Sequence, residues 1–250
     1  NYMALSEHPE LRNESVRWVE KYGSGSGASR LITGTSPACL RLEDEIARWK
    51  GTEASIVIGS GYLANSGIIP ALADRSAVIF ADKLNHASLN AGCQLSGAEF
   101  LRYRHNDVDH LVSFLEKHKD NPRKLIVSDT VFSMDGDIAP LDDIKRLAKE
   151  YDALLYLDDA HASGVFGEHG EGLSDGADIA MGTFSKALGS YGAYAACSSL
   201  MKDYLVNRCG TFIYSTALPP AVLGSIAAAV SLVQTPACNE ARKSLLEKFT

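Results

Sequence analysis

Short apolar runs that do not alternate with polar residues recur along the chain, separated by stretches with helical periodicity. Ala54–Ile58, Ala77–Ala81, Lys124–Ser128 and Leu154–Asp158 read as buried strands. Between them, residues 61–73, Asn85–Ser96 and Asp107–His118 read as helices, and Ile144, Leu147, Ala148 and Tyr151 form an i, i+3, i+4, i+7 stripe. Strands that lack alternation are buried on both faces, so the pattern predicts an α/β fold with a mostly parallel central sheet and helices on both sides. Two more runs, Ala177–Gly182 and Gly192–Cys197, are separated by a glycine-rich loop too short for a helical crossover, which predicts one antiparallel strand.

Helices are expected to flank this sheet. Glu10–Tyr22 and Cys39–Lys50 precede it, the second with Cys39, Leu42, Ile46 and Trp49 on one side. Pro220–Val233 and a further piece to Thr250 follow it. The expected organisation is N-terminal helices and a loop over 1–50, a large domain over 51–233, and over 234–250 the start of a connection to a C-terminal domain. The segment Gly23-Ser-Gly25-Ser-Gly-Ala28 fits the dinucleotide fingerprint G-x-G-x-x-G/A, but a helical stretch precedes it where that motif needs a strand, so it is read as a loop.

A formal net charge of −7 over 250 residues argues against nucleic acid or an anionic membrane as the main partner. The five cysteines have no CxxC spacing and read as reduced thiols of a cytoplasmic protein, without a metal site. The sequence contains no apolar stretch long enough to span a bilayer.

The polar residues that carry chemistry follow the predicted strands. Gly59-Ser-Gly61-Tyr62 opens a helix, where free amides and the helix dipole can hold an anion; an ordinary turn is the bland alternative. His86 and Ser133 lie on loops after strands; a helix cap and a simple turn are their bland readings. Asp158, Asp159 and His161 end the strand Leu154–Asp158, and neighbours on a strand face opposite ways, so only one of the two acids can point at a given ligand. Lys186 follows Thr183-Phe-Ser185 among small residues that let a flat ring approach. An amine, a carboxylate and an imidazole gathered at one sheet edge suit a lysine Schiff base with pyridoxal phosphate (PLP).

Six blocks in order, Ser60-Gly-Tyr-Leu-Ala-Asn65, Asn85-His-Ala-Ser-Leu89, Val131-Phe-Ser-Met-Asp-Gly-Asp137, Asp158-Asp-Ala-His-Ala-Ser-Gly164, Thr183-Phe-Ser-Lys-Ala-Leu-Gly189 and Tyr214-Ser-Thr-Ala-Leu-Pro-Pro220, resemble the α-oxoamine synthases. These are fold-type I PLP enzymes that condense an amino acid with an acyl thioester and release CO2. The blocks at Asp158 and Ser215 resemble most the biotin-pathway branch, which joins L-alanine to pimeloyl-CoA or a pimeloyl-acyl carrier protein and yields 8-amino-7-oxononanoate. Other branches, which act as glycine C-acetyltransferase or resemble serine palmitoyltransferase, are the alternatives, as is a catalytically incomplete binding or assembly subunit. The resemblance implies that Lys186 carries the cofactor and moves the Cα proton, and that Asp158 pairs with the pyridine nitrogen. It implies that His161 and Ser133 bond near the phenolic oxygen and that His86 stacks on the ring. Gly61, Tyr62 and Thr183 would hold the phosphate. Ser215 or Thr216 would reach the neighbouring subunit's phosphate, which implies a homodimer with shared sites. The connector Gly172–Ala177 is shorter than the resemblance leads one to expect.

Overall fold

The structure, a computed structural model, describes residues 1–248. Two N-terminal helices, α1 (Pro9–Tyr22) and α2 (Pro37–Lys50), lead into the strand β1 (Ala54–Ile58). The chain then alternates: α3 (Gly61–Leu72), β2 (Val78–Asp82), α4 (Ala87–Ser96), β3 (Glu99–Tyr103), α5 (Val108–Lys117), β4 (Lys124–Asp129), α6 (Leu141–Glu150) and β5 (Leu154–Asp158). Strands β6 (Ile179–Thr183) and β7 (Ala193–Cys197) come next, and four helices follow: α7 (Ser199–Arg208), α8 (Gly210–Ile213), α9 (Pro220–Val233) and α10 (Pro236–Leu246).

The seven strands form one sheet in the order β1-β7-β6-β5-β4-β2-β3. Strand β7 is antiparallel to both neighbours, and the other pairs are parallel. This is the expected mixed sheet with one reversed strand. Alternate residues divide between two covered faces. Ile79, Leu125, Val127, Tyr156, Ile179 and Met181 pack under the layer that holds α3, α4 and α7. On the other face, Val78, Phe80, Ile126, Leu155 and Leu157 pack against α5 and α6, and Val57, Ala180, Tyr194 and Ala196 pack against α2 and α9. Both faces are therefore dry along the central strands, which is why those strands read as continuous apolar runs.

The structure departs from the expected elements at four places. The strand β3 is an addition to the expected elements; it lies at the sheet edge, only Tyr103 in it is buried, and Glu99 and Arg102 are exposed, so it lacks the uniform apolar run of its neighbours. Helix α4 starts at Ala87 rather than Asn85, because the His86 side chain accepts the Ser88 N–H and caps it. Strand β6 starts at Ile179, since Asp178 turns its carboxylate to the Leu155 N–H at 2.8 Å. The expected last helix ends at Leu246, and the final two residues, 249 and 250, lie outside the described part. Among the described residues no single helix is long and apolar enough to cross a membrane. The apolar α9 buries Leu223, Ile226, Ala229, Val230 and Val233 in the core. All five cysteines are free thiols.

Candidate active site

The parallel strands deliver Asp129, Asp158 and Thr183 to their carboxyl ends, the edge where open α/β sheets bind ligands. Asp129 and Asp158 are register partners on adjacent strands, and both continue the Leu125–Val127 and Tyr156 face under α3 and α4. Asp158 is 3% exposed. One of its oxygens accepts the Ala160 N–H at 2.9 Å, and the other accepts Asn65 Nδ2 at 2.8 Å. Asn65, from α3, also donates to Ser88 Oγ at 2.9 Å and accepts from Tyr156 Oη at 2.7 Å, so its orientation is determined from three sides. Asp129 Oδ2 accepts the His86 N–H at 2.7 Å, which ties the start of α4 to the end of β4.

Two carboxylates buried side by side resist ionisation. Burial raises the pKa of Asp129, and the charge of Asp158 raises it further. Burial also raises Asp158, against the opposing pull of Asn65, the Ala160 N–H, Lys186 and His86. Lys186, half-buried in a turn closed by the Gly189 N–H on the Lys186 carbonyl at 3.3 Å, supplies positive charge to both acids. Gly189 needs to be glycine here: its φ is +64°, and a side chain would run into the backbone of Leu5 and Ser6. His161 is half-buried, and its Nδ1 lies 2.7 Å from Tyr2 Oη. Burial, with the nearby Lys186 and His86, lowers its pKa to about 4, so the ring is neutral near pH 7.

The expected division of Asp158 from Asp159 holds. Asp159 points to the opposite face, where Lys50 Nζ meets it at 2.8 Å and Ser174 Oγ and Thr130 Oγ1 donate at 2.6 and 2.7 Å. The short connector after residue 172 wraps this carboxylate with the Leu173 and Ser174 amides. Asp159 is a structural anchor, and Asp158 faces the site.

At the start of α3, Ser60 caps the helix by accepting the Leu63 N–H at 3.2 Å, so Gly61 and Tyr62 present first-turn amides that have no intrahelical acceptor. Thr183, on β6, stands beside them: a β-carbon added at Gly61 would lie 3.9 Å from Thr183 Cβ. The Thr183 hydroxyl is 2.7 Å from Ser185 Oγ. His86 and Ser133 are exposed, His86 as the cap of α4 and Ser133 on the loop after β4. Ser215 shares a cavity of about 20 Å3 with Ile58 and Gly59. Thr216 is exposed and bridges to Ser29, while the glycine-rich loop before Ser29 is pinned by Ser26 Oγ on the carbonyls of Ala217 and Leu218. Asp129, Asn65 and Tyr2 were not singled out from the sequence; cross-strand register and a contact across 159 positions leave no local signal.

The geometry offers a buried pair of carboxyl groups for a cationic ring, an amine within electrostatic reach, and a helix start for an anion. Residues 3–250 match the family described as aminotransferase class I and II. The chain belongs to that family. This aminotransferase-family chain is 51% identical over 251 residues to an 8-amino-7-oxononanoate synthase of Geobacter sulfurreducens, covering 98% of this chain and 64% of the relative. Among solved structures it resembles serine palmitoyltransferase from S. paucimobilis with a bound PLP-myriocin aldimine, with a TM-score of 0.90, 34% identity, and coverage of 94% of this chain and 61% of that one. It also resembles 8-amino-7-oxononanoate synthase from Francisella tularensis, with a TM-score of 0.80, 28% identity, and coverage of 94% and 68%. The family member described here thus spans 64% of the length of that curated relative, and its sheet is that of fold-type I PLP enzymes.

Proposed function

We propose that this chain carries the PLP site of an acyltransferase that joins L-alanine to a pimeloyl thioester, with loss of CO2, to give 8-amino-7-oxononanoate. The observation that carries the reading is the buried pair Asp129–Asp158 beside Lys186, in a chain whose curated relatives bear that enzyme's name. The residues fit PLP by charge and by hydrogen-bonding chemistry. Two buried acids share one nearby lysine, so a protonated pyridine next to Asp158 relieves a deficit of positive charge. The amides of Gly61 and Tyr62, with the Thr183 hydroxyl, suit a phosphate dianion. His86 would lie against the ring, and Ser133 and the neutral His161 would bond near its phenolic oxygen.

When bound, PLP supplies an electron sink for charge that develops at the amino acid's Cα. Asp158 keeps the pyridine nitrogen charged, and Asn65 prevents the carboxylate from turning away. Lys186 Nζ holds the cofactor, takes the Cα proton and returns one to the product. Ser215 and Thr216 would serve the partner subunit in a homodimer. Leu31, Ile32 and Tyr214 support that surface, since they flank the Ser29–Thr216 bridge and are 48%, 75% and 87% exposed.

The test begins with colour. The chain is expected to retain a yellow chromophore after free PLP is removed by gel filtration, borohydride is expected to fix the cofactor on the peptide containing Lys186, and Lys186→Ala is expected to lose that label. Thiol release with alanine, glycine and serine then identifies the amino acid. A protein that comes off gel filtration colourless after incubation with excess PLP ends the proposal.

A further inference from the structure

We propose that His105 is a positioning residue: as an imidazolium held between Asp82 and Asp137, it clamps the loop over residues 130–138 and so fixes Ser133. The inference rests on the proposed PLP site, to which Ser133 belongs. His105 follows β3, Asp82 ends β2, and Asp137 lies on the loop after β4. The ring's Nδ1 is 3.0 Å from Asp82 Oδ1, and its Nε2 is 2.8 Å from Asp137 Oδ2. Carboxylates only accept hydrogen bonds, so both ring nitrogens must donate, and a ring that donates twice is protonated.

The surroundings make that charge necessary. Asp82 is 1% exposed, and it also accepts the Leu84 N–H at 2.8 Å and the Asn106 N–H at 2.9 Å. Asp137 accepts Asn106 Nδ2 at 2.7 Å, while its other oxygen is buried with no partner among the described residues. Asp135 completes the group: a ring nitrogen of His105 and a carboxylate oxygen each of Asp135 and Asp137 lie within 4.8 Å of one another. Three acids thus face one imidazole, and the adjacent Arg104 is engaged with Asp107 at 2.7 Å. The Phe132 ring packs edge-on to the imidazole, with centroids 4.5 Å apart at 89°.

The clamp acts at the base of the loop. The Phe132 N–H donates to the Asp137 carbonyl at 3.0 Å, and the Gly136 N–H donates to the Phe132 carbonyl at 2.9 Å, which closes the turn that presents Ser133. Its Asp82 end also holds the Leu84 amide on the segment that leads to His86. One imidazolium therefore joins the two loops assigned to the cofactor's ring. Burial alone would lower the His105 pKa, but the bonds and charges of Asp82 and Asp137 outweigh it and hold the value above 6.5. The sign follows: the clamp is complete below pH 6.5 and is released as pH rises through the raised value.

Two measurements on the 250-residue chain test this. The first is the imidazole 15N signal of His105, assigned by its loss in His105→Gln and followed against pH without PLP. A midpoint above 6.5, which falls in Asp137→Asn, is expected. The second is the PLP dissociation constant, read from visible absorbance across pH. Asp137→Asn is expected to weaken binding roughly tenfold, about one charge-assisted hydrogen bond, and to flatten its decline at high pH. A midpoint at or below 6.5, or PLP affinity in Asp137→Asn within twofold of the parent at every pH, overturns the clamp. If the parent binds no PLP, the proposed function fails, while the 15N signal still decides the protonation state of His105. Asp137→Asn keeps the loop's shape, so the outcome does not depend on whether His105→Gln folds.

Discussion

At the scale of single residues, the site is set by burial more than by sequence spacing. Asp158 is useful because Asn65 and the Ala160 amide fix both its oxygens and because Asp129 crowds it. Asp158→Asn removes the charge that would face the ring nitrogen while keeping the shape. PLP affinity is expected to fall by about 10- to 100-fold, the worth of a buried charge-assisted hydrogen bond, in an absorbance titration. His161 gives a pH prediction. Its pKa is about 4 in the folded chain against 6.5 for an ordinary histidine, so between those values the unfolded chain binds more protons. This residue's contribution therefore weakens stability as pH falls from 6.5 toward 4 and adds nothing further below that. The raised pKa values of Asp129 and Asp158 act in the other direction, favouring the folded state at low pH and fading as pH rises through their folded values. Comparing urea midpoints of the parent and His161→Gln from pH 7 to pH 4 isolates the histidine: the variant's advantage is expected to grow as pH falls. Lys186, Asp158 and His161 stand out in the sequence as candidates because each follows an apolar run. Asp129 also follows one, but its meaning lies in its register with Asp158, which a linear pattern does not encode.

At the scale of elements, helix α3 links packing to chemistry. Its first turn presents Gly61 and Tyr62, and its second carries Asn65 to Asp158. Helix α4 approaches so closely that a β-carbon at Gly92 would collide with the Asn65 carbonyl oxygen. Gly92→Ala must push the two helices apart, and overpacking of this kind costs about 1–3 kcal/mol. The expected result is a lower urea midpoint together with weaker PLP binding, since Asn65 moves with its backbone. A midpoint shift with PLP affinity unchanged would separate the packing of α3 from its role at Asp158. Ser60→Ala is expected to cost about 1 kcal/mol through the lost cap, in the same unfolding experiment. Helices such as α6 were legible because Ile144, Leu147 and Ala148 form one buried stripe. Helix α7 was not singled out, because Leu205 is its one fully buried residue and no apolar face repeats along it. Strand β3 lacks a signal for a related reason: at the sheet edge its burial is partial, with only Tyr103 buried, so its residues do not resemble the interior strands.

At the scale of the whole molecule, the reversed strand was readable from the short loop between β6 and β7, whereas the placement of β1 on the outer side of β7 was not. That placement depends on pairing across more than a hundred residues, and its consequence is functional. It puts the start of α3 next to β6, so that Gly61 meets Thr183, and it leaves Ser215 beside Gly59. Around this corner, Leu31, Ile32 and Tyr214 expose apolar surface next to Ser215 and Thr216. Isolated exposed apolar side chains are ordinary, but a group of them beside residues assigned to a phosphate points to a covered surface. If a second copy covers it, the two sites depend on each other. Ile32→Asp places a charge in the middle of that surface, at a position 75% exposed, so the fold of the single chain is not at risk. The expected outcome is a halved molar mass in light scattering, an unchanged far-UV spectrum, and PLP affinity at least about tenfold weaker, because the partner's hydroxyls no longer reach the phosphate. A parent chain that is monomeric and binds PLP as tightly as the variant would place the whole site within one copy.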